Sequence, residues 1–151
     1  MLVPAPRWQW SSAAVTSSGC WAEEHSHDKA CDGNFGTSWV APWGYSAHKY
    51  ADDFICFDLG ASRIIGQLKY YVADVNVPAA FRVLISENGE DWGVLARVDD
   101  AQYENKCLTL NFDSVSARYV RTEIFVKGLN GANYLGGFTE IEAYATDEEE
   151  A

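Results

Sequence analysis

No long apolar run occurs in the 151 residues, and nothing approaches the ~20 consecutive apolar residues that a membrane-crossing helix needs. The opening MLVPAPRWQWSS lacks the basic stretch followed by an apolar one that marks a secretory leader. Such a chain is expected inside the cell or as a module of a longer extracellular or cell-surface protein, and the second expectation is carried forward. Cations are scarce: 11 Lys and Arg face 22 Asp and Glu, a net charge of −11, and −7 even without the four acids of the terminal TDEEEA. With no basic stripe to offset this, phosphate backbones and anionic lipid surfaces are repelled. Neither nucleic acid nor a membrane surface is expected as a partner.

Catalytic groups are also few. The three histidines are His25, His27 and His48, and no Ser or Cys sits in a G-x-S-x-G elbow. The adjacent acids Asp52 with Asp53 and Asp99 with Asp100 diverge on a strand and mark solvated turns. Catalysis is therefore not expected. His25-x-His27 beside Glu23 and Glu24 could hold a transition metal only with a third placed ligand; a polar loop is the alternative. The cysteines Cys20, Cys31, Cys56 and Cys107 show no C-x-x-C spacing, so a zinc knuckle is not indicated. They read as small buried hydrophobes.

What is present is apolar and aromatic: 48% and 14% of the residues. That composition suits one packed domain over residues 1–151, with a core of about 8–145 and a solvated acidic tail at 146–151. The dominant hydrophobic period is two. FICFDLG, RIIGQLKYYV (Arg63 to Val72), FRVLIS (Phe81 to Ser86), WGVLARV (Trp92 to Val98), KCLTLNF (Lys106 to Phe112), RYVRTEIFV (Arg118 to Val126) and FTEIEAYA (Phe138 to Ala145) read as strands. Between them stand the turn signals LGAS, NVPA, ENGED, FDSVSA and KGLNGANYLGG. About eight short antiparallel strands imply an all-β sandwich or barrel. Two long loops, Asp28 to Asp53 and Lys127 to Gly137, are where function is expected.

The ordered series KACDGNFGTSW, FICFDLG, FRVLISENGEDW, ARYVR and FTEIEAYA resembles the discoidin, or coagulation factor 5/8 type C, domain from about Trp21 to Ala145. Its sugar-binding branch is carbohydrate-binding module family 32. The resemblance implies an eight-stranded antiparallel jelly-roll β-sandwich of the galactose-binding type. It also implies one structural Ca2+, whose ligand pattern falls on Lys29 (carbonyl), Asp32, Asn34, Thr37, Thr139 (carbonyl) and Glu140. Hard oxygen ligands, six to eight at ~2.3–2.6 Å, are what calcium takes; a plain turn at Asp-Gly-Asn with Glu140 exposed is the alternative.

The family's ligand surface lies in loops at one end of the sandwich. A neutral sugar needs an exposed aromatic to stack on and nearby groups to bond its hydroxyls. The corresponding loops here supply Trp43, Tyr45, His48, Asp74, Asn76, Asn130, Asn133 and Tyr134. Trp39, directly after the turn, reads as a core anchor and is excluded. Galactose-binding members place an Arg ahead of an Asn in the loop where this chain has ADVNVPAA, with Asp74 and Asn76 but no Arg, a departure that leaves terminal galactose, a different glycan or a protein epitope open as the ligand. The expected role is a non-catalytic, calcium-stabilised module that tethers a larger glycan-active enzyme or adhesin to its glycan. The alternative is a discoidin-type protein-interaction or assembly domain without a sugar site.

Overall fold

The computed structural model describes residues 14–41, 44–45, 50–74, 77–126, 128–130 and 133–145. In chain order the strands are β1 (Val15–Ser17), β2 (Trp39–Val40), β3 (Gly44–Tyr45), β4 (Tyr50–Tyr71), β5 (Ala80–Ser86), β6 (Gly93–Val98), β7 (Cys107–Val126), β8 (Gly128–Asn130), β9 (Asn133–Leu135), β10 (Gly137–Phe138) and β11 (Glu140–Ala145). Two 3-10 turns, Glu23–His25 and His27–Ala30, lie between β1 and β2. All strand pairings are antiparallel, as the period-two pattern predicts.

The architecture turns on β4 and β7, which pair from Tyr50↔Val126 to Tyr71↔Cys107. The sequence reads each as two strands divided by a turn signal; the structure makes each one continuous, bent strand. LGAS becomes a bulge, because the stretch from Asp58 to Arg63 on β4 lies opposite the short step from Tyr119 to Ala117 on β7. Gly60 takes φ +83° within it. The Asp58 carboxylate pins the bulge, accepting from the Gly60 N–H at 2.8 Å and from Arg118 Nε and Nη2 at 2.9 and 3.1 Å. Those Arg118 bonds, with the Gly60 N–H behind them, hold the Asp58 carboxyl below its ordinary pKa. FDSVSA likewise becomes a bulge on β7, between Asn111 and Val115. Extra residues on one strand bend it sharply, and here the bends fold a single ribbon into two layers. One layer is β1, the first half of β4, the second half of β7, β5 and β6; the other is β11, the second half of β4 and the first half of β7.

Between the layers lies a core of fully buried side chains that includes Trp39, Phe57, Tyr70, Phe81 and Phe138. Tyr70 packs 4.9 Å from Phe81 and 5.1 Å from Phe138, measured between ring centroids. Trp39 is the core anchor expected, stacked on Phe138 with its Nε1–H donating to Gly19 O at 2.9 Å. Gly137 is forced by packing: a Cβ there would lie 1.8 Å from the Trp39 carbonyl oxygen. The four cysteines are unpaired and half-buried, not fully buried as expected, and Cys20 and Cys31 pack against the core. Burial pushes the Cys56 thiol up to about 11.

One polar bond ties the layers together inside this core. Tyr70 from the second half of β4 and Thr122 from the second half of β7 share a buried O–H···O bond of 2.7 Å. Removing one partner strands the other in an apolar site. Tyr70→Phe or Thr122→Val alone is expected to cost about 1–3 kcal/mol. The double variant is expected to cost clearly less than the two single losses together, measured by denaturant unfolding.

Candidate functional site

Residues 28–37 fold over the end of β11 and form a compact corner. The second 3-10 turn, which carries Lys29, packs against β11. Asp-Gly-Asn then closes on itself: Asp32 Oδ1 accepts from the Asn34 N–H at 2.9 Å, and Asn34 Oδ1 accepts from the Gly36 N–H at 2.8 Å. Short side chains that bond the backbone two residues on favour such turns over regular structure. Thr37 Oγ1 donates to Asp32 Oδ2 at 2.5 Å and lies 3.1 Å from Asn34 O. Gly33, at φ +74°, turns its N–H to Glu140 Oε2 at 3.1 Å.

Glu140 is fully buried, which removes the exposed-Glu140 alternative. Thr139 is also buried, and its N–H donates to Tyr71 O at 2.8 Å. Asp32, Asn34 and Thr37 are thus bonded within one turn, which is joined to Glu140 through the Gly33 N–H; Thr139 adjoins Glu140 and Lys29 lies on the packed 3-10 turn. Burial, followed by the charges of Glu140, Asp28 and Asp32, pushes the nearby Cys31 thiol up to about 11. The two histidines at 25 and 27 do not converge: His25 Nδ1 meets Ser38 O at 3.1 Å, and His27 Nδ1 meets Ser17 Oγ at 3.0 Å.

Of the expected ligand residues, Trp43, His48 and Asn76 lie outside the described residues. The backbone of four others is brought together. In the small sheet β3–β9–β8, Tyr45 pairs with Asn133, and Asn133 with Asn130; Gly44 faces Tyr134. The stretch read as a Gly-rich loop is therefore a hairpin that continues into β10. Asp74 stands just past β4, exposed, and its Oδ1 meets Lys106 Nζ at 2.8 Å.

Asp74 also borders a groove of ≈ 550 Å³ lined by Phe35, Tyr71, Asn105, Lys106 and Thr139. Sequence reasoning missed four of these five. Phe35 carried a signal, an aromatic inside a polar turn. Tyr71 read only as a strand residue, and the Asn105–Lys106 turn gave no motif.

With this geometry in place, the relationships to known proteins can be read. Residues 13–135 match the F5/8 type C domain model. The chain belongs to the F5/8 type C domain family. Comparison with curated proteins returns no match. Among solved structures, a chitosan-binding module 2 in complex with chitotriose, from a Paenibacillus sp. IK-5 chitosanase/glucanase, is similar at TM-score 0.73 and 20% identity, covering 91% of this chain and 97% of that one. CpGH89CBM32-5 from Clostridium perfringens, in complex with GalNAc-β-1,3-galactose, aligns at TM-score 0.72 and 20% identity over 87% of this chain and 94% of that one. A truncated AlyQ with CBM32 and alginate lyase domains aligns at TM-score 0.72 and 20% identity, covering 94% of this chain and 34% of that one. At these identities the likeness is one of fold.

The Thr37 hydroxyl closes the corner as a donor. Thr37→Val keeps the shape and removes the donor, and is expected to cost about 0.5–1.5 kcal/mol. Thr37→Ser, which keeps the hydroxyl, is expected to stay close to wild type in a thermal melt.

Proposed function

We propose that this chain is a non-catalytic carbohydrate-binding module. The observation that carries the reading is the register of β3, β9 and β8, which sets the backbone positions of Tyr45, Asn133 and Asn130 in one row across adjacent strands, with Tyr134 the next position along β9. Aromatic and amide residues grouped in this way suit the stacking and hydroxyl bonding that a sugar requires. Membership of the F5/8 type C family supports it, as do structural relatives that bind chitotriose and GalNAc-β-1,3-galactose. The AlyQ module adjoins lyase domains, which supports a tethering role within a longer extracellular chain. Net charge narrows the glycan: at −11, a neutral or amino-sugar glycan is favoured over a polyuronate.

Binding to chitotriose, GalNAc-β-1,3-galactose and a mannuronate oligomer, measured by titration calorimetry, tests this. At least one of the first two is expected to bind and the mannuronate oligomer is not. Trp43→Ala and Tyr134→Ala are each expected to weaken binding about ten-fold or more, the scale of losing one stacked ring. If neither of the first two saccharides binds, the protein-interaction reading takes its place.

We propose that the corner at residues 28–37 holds a calcium ion against Thr139 and Glu140. The hard oxygens that would hold it are the carboxylates of Asp32 and Glu140, the Asn34 and Thr37 side chains, and the carbonyls of Lys29 and Thr139. Glu140 is fully buried and bonds the Gly33 N–H of the turn that carries Asp32, which supports an ion held between turn and strand. When bound, calcium would neutralise the two acids and fasten the turn to β11. Chelation is expected to lower the melting temperature and added calcium to restore it, by about 2.7 kcal/mol at a hundred times Kd. Glu140→Gln should abolish that calcium dependence. A melt unmoved by chelator would remove the ion from this account.

A further inference from the structure

We propose that the groove between the Phe35 turn and the Asn105–Lys106 turn is a second saccharide subsite, taking one pyranose unit through its apolar face and a pair of vicinal hydroxyls. The proposal rests on the carbohydrate-binding reading above and extends it from Asp74 to Phe35, Tyr71, Asn105 and Lys106, which the loop surface did not include. The groove's ≈ 550 Å³ falls within the ~300–1,000 Å³ usual for small-molecule sites.

Its floor is aromatic. Phe35 is 55% exposed, and its ring meets the Tyr71 ring edge-on at 4.9 Å and 69°. Tyr71 thus props Phe35 in a fixed orientation with much of its surface in water. A fixed, exposed ring is what the C–H face of a pyranose stacks against. Beneath, Thr139 and the start of β11 tie the floor to the cation corner.

Its rim is polar and close to neutral. Asp74 and Lys106 meet at 2.8 Å with side chains 82% and 60% exposed. A carboxylate accepts and an ammonium donates. Two neighbouring sugar hydroxyls satisfy both at once, since each hydroxyl can donate or accept. A charged sugar would instead compete with one member of the pair for the other.

The strongest indication is where Lys106 sits. Asn105 and Lys106 take φ +53° and +61°, the only positive-φ non-glycine residues among those described. They are the central pair of a two-residue hairpin closed by Glu104 N–H to Cys107 O at 2.9 Å and Cys107 N–H to Glu104 O at 3.1 Å. Such turns favour Asn-Gly, and a long side chain in the second position is strained. A strained residue held where glycine would serve the fold better is a pointer to function. Lys106 supplies what glycine cannot: an ammonium at the mouth of the groove.

The test uses the full chain as wild type, Lys106→Gly, Phe35→Ala and Trp43→Ala, with chitotriose and GalNAc-β-1,3-galactose as probes. Lys106→Gly is expected to melt at the same temperature as wild type or higher, yet to bind the better probe about ten-fold more weakly. Phe35→Ala is expected to weaken binding by a similar factor. Backbone amide resonances of Asn105 and Lys106 are expected to shift on titration. If wild type binds while Lys106→Gly and Phe35→Ala bind equally well, and only Trp43→Ala is impaired, the groove proposal fails and the loop reading survives. If wild type binds neither probe, both fall together.

Discussion

Everything in this molecule depends on two strands staying paired while they bend. β4 and β7 remain hydrogen-bonded from Tyr50↔Val126 to Tyr71↔Cys107, with register shifts at the Asp58 and Ile65 positions. Because the bends are shared, both sandwich layers descend from one ribbon, and the position of one layer fixes that of the other. The inward phase moves at the bulges: Leu108 is buried on one side of them, then Ala117, then Val120, Thr122 and Ile124. A slip of one residue in either half would turn a buried row outward. The Tyr70–Thr122 bond and the Asp58–Arg118 pair restrain the ribbon at different places, one inside the core and the other at the bend.

The groove and the Asp32–Glu140 corner inherit their geometry from that ribbon. β4 finishes at Tyr71, where it pairs with both Glu140 and Cys107. A single strand end therefore sets the Asp32–Glu140 corner on one side and the Asn105–Lys106 hairpin on the other. Glu140 links strand to turn through Gly33, and Tyr71 supports Phe35. One wall of the groove is the Asn105–Lys106 turn that closes a hairpin, and the other is the Phe35 turn backed by Tyr71 at the end of β4. A site held in this way loses little conformational entropy on binding, which favours a shallow contact that buries limited area.

Much of this was legible in the sequence, for physical reasons that can be named. Alternation in RYVRTEIFV reports its buried face, Val120, Thr122 and Ile124, and in FRVLIS it does so as far as Val83, where a bulge moves the buried row to Leu84 and Ser86; the all-β antiparallel sandwich still follows from the residues. Trp39 as a core anchor, and the grouping of Asp32, Asn34 and Thr37, follow from local chemistry that acts over a few positions. The misreadings have a common source. LGAS and FDSVSA carry turn residues, and whether such residues end a strand or bulge it is decided by the partner strand. KGLNGANYLGG looked like a loop because glycine weakens strand propensity, yet GLN and NYL pair with each other and NYL pairs with β3, which makes strands of both. Phe35, Tyr71 and Lys106 come from three separate segments, and no local pattern announces that they share a groove.

Arginines are concentrated on the outer face of the β4–β7–β5–β6 layer and are engaged there. Arg121 lies 3.8 Å over the Phe54 ring, and Arg82 and Arg97 flank Phe125 at 5.3 and 4.7 Å. Glu123 accepts from Arg82 at 2.6 Å and from Arg121 at 2.8 Å, Arg118 is held by Asp58, and Arg97 by Asp99. Guanidinium groups stacked on rings and bonded to acids cover the sheet in place of a third layer. They offer little free positive charge to an incoming anion. Lys106, at the groove, is neutralised by Asp74, and Lys29, at the corner, meets Asp28 at 3.5 Å. The excess of acids is thus felt at the ligand end as well as overall, and any selectivity there must come from ring faces and hydroxyl partners, with charge acting mainly to turn polyanions away.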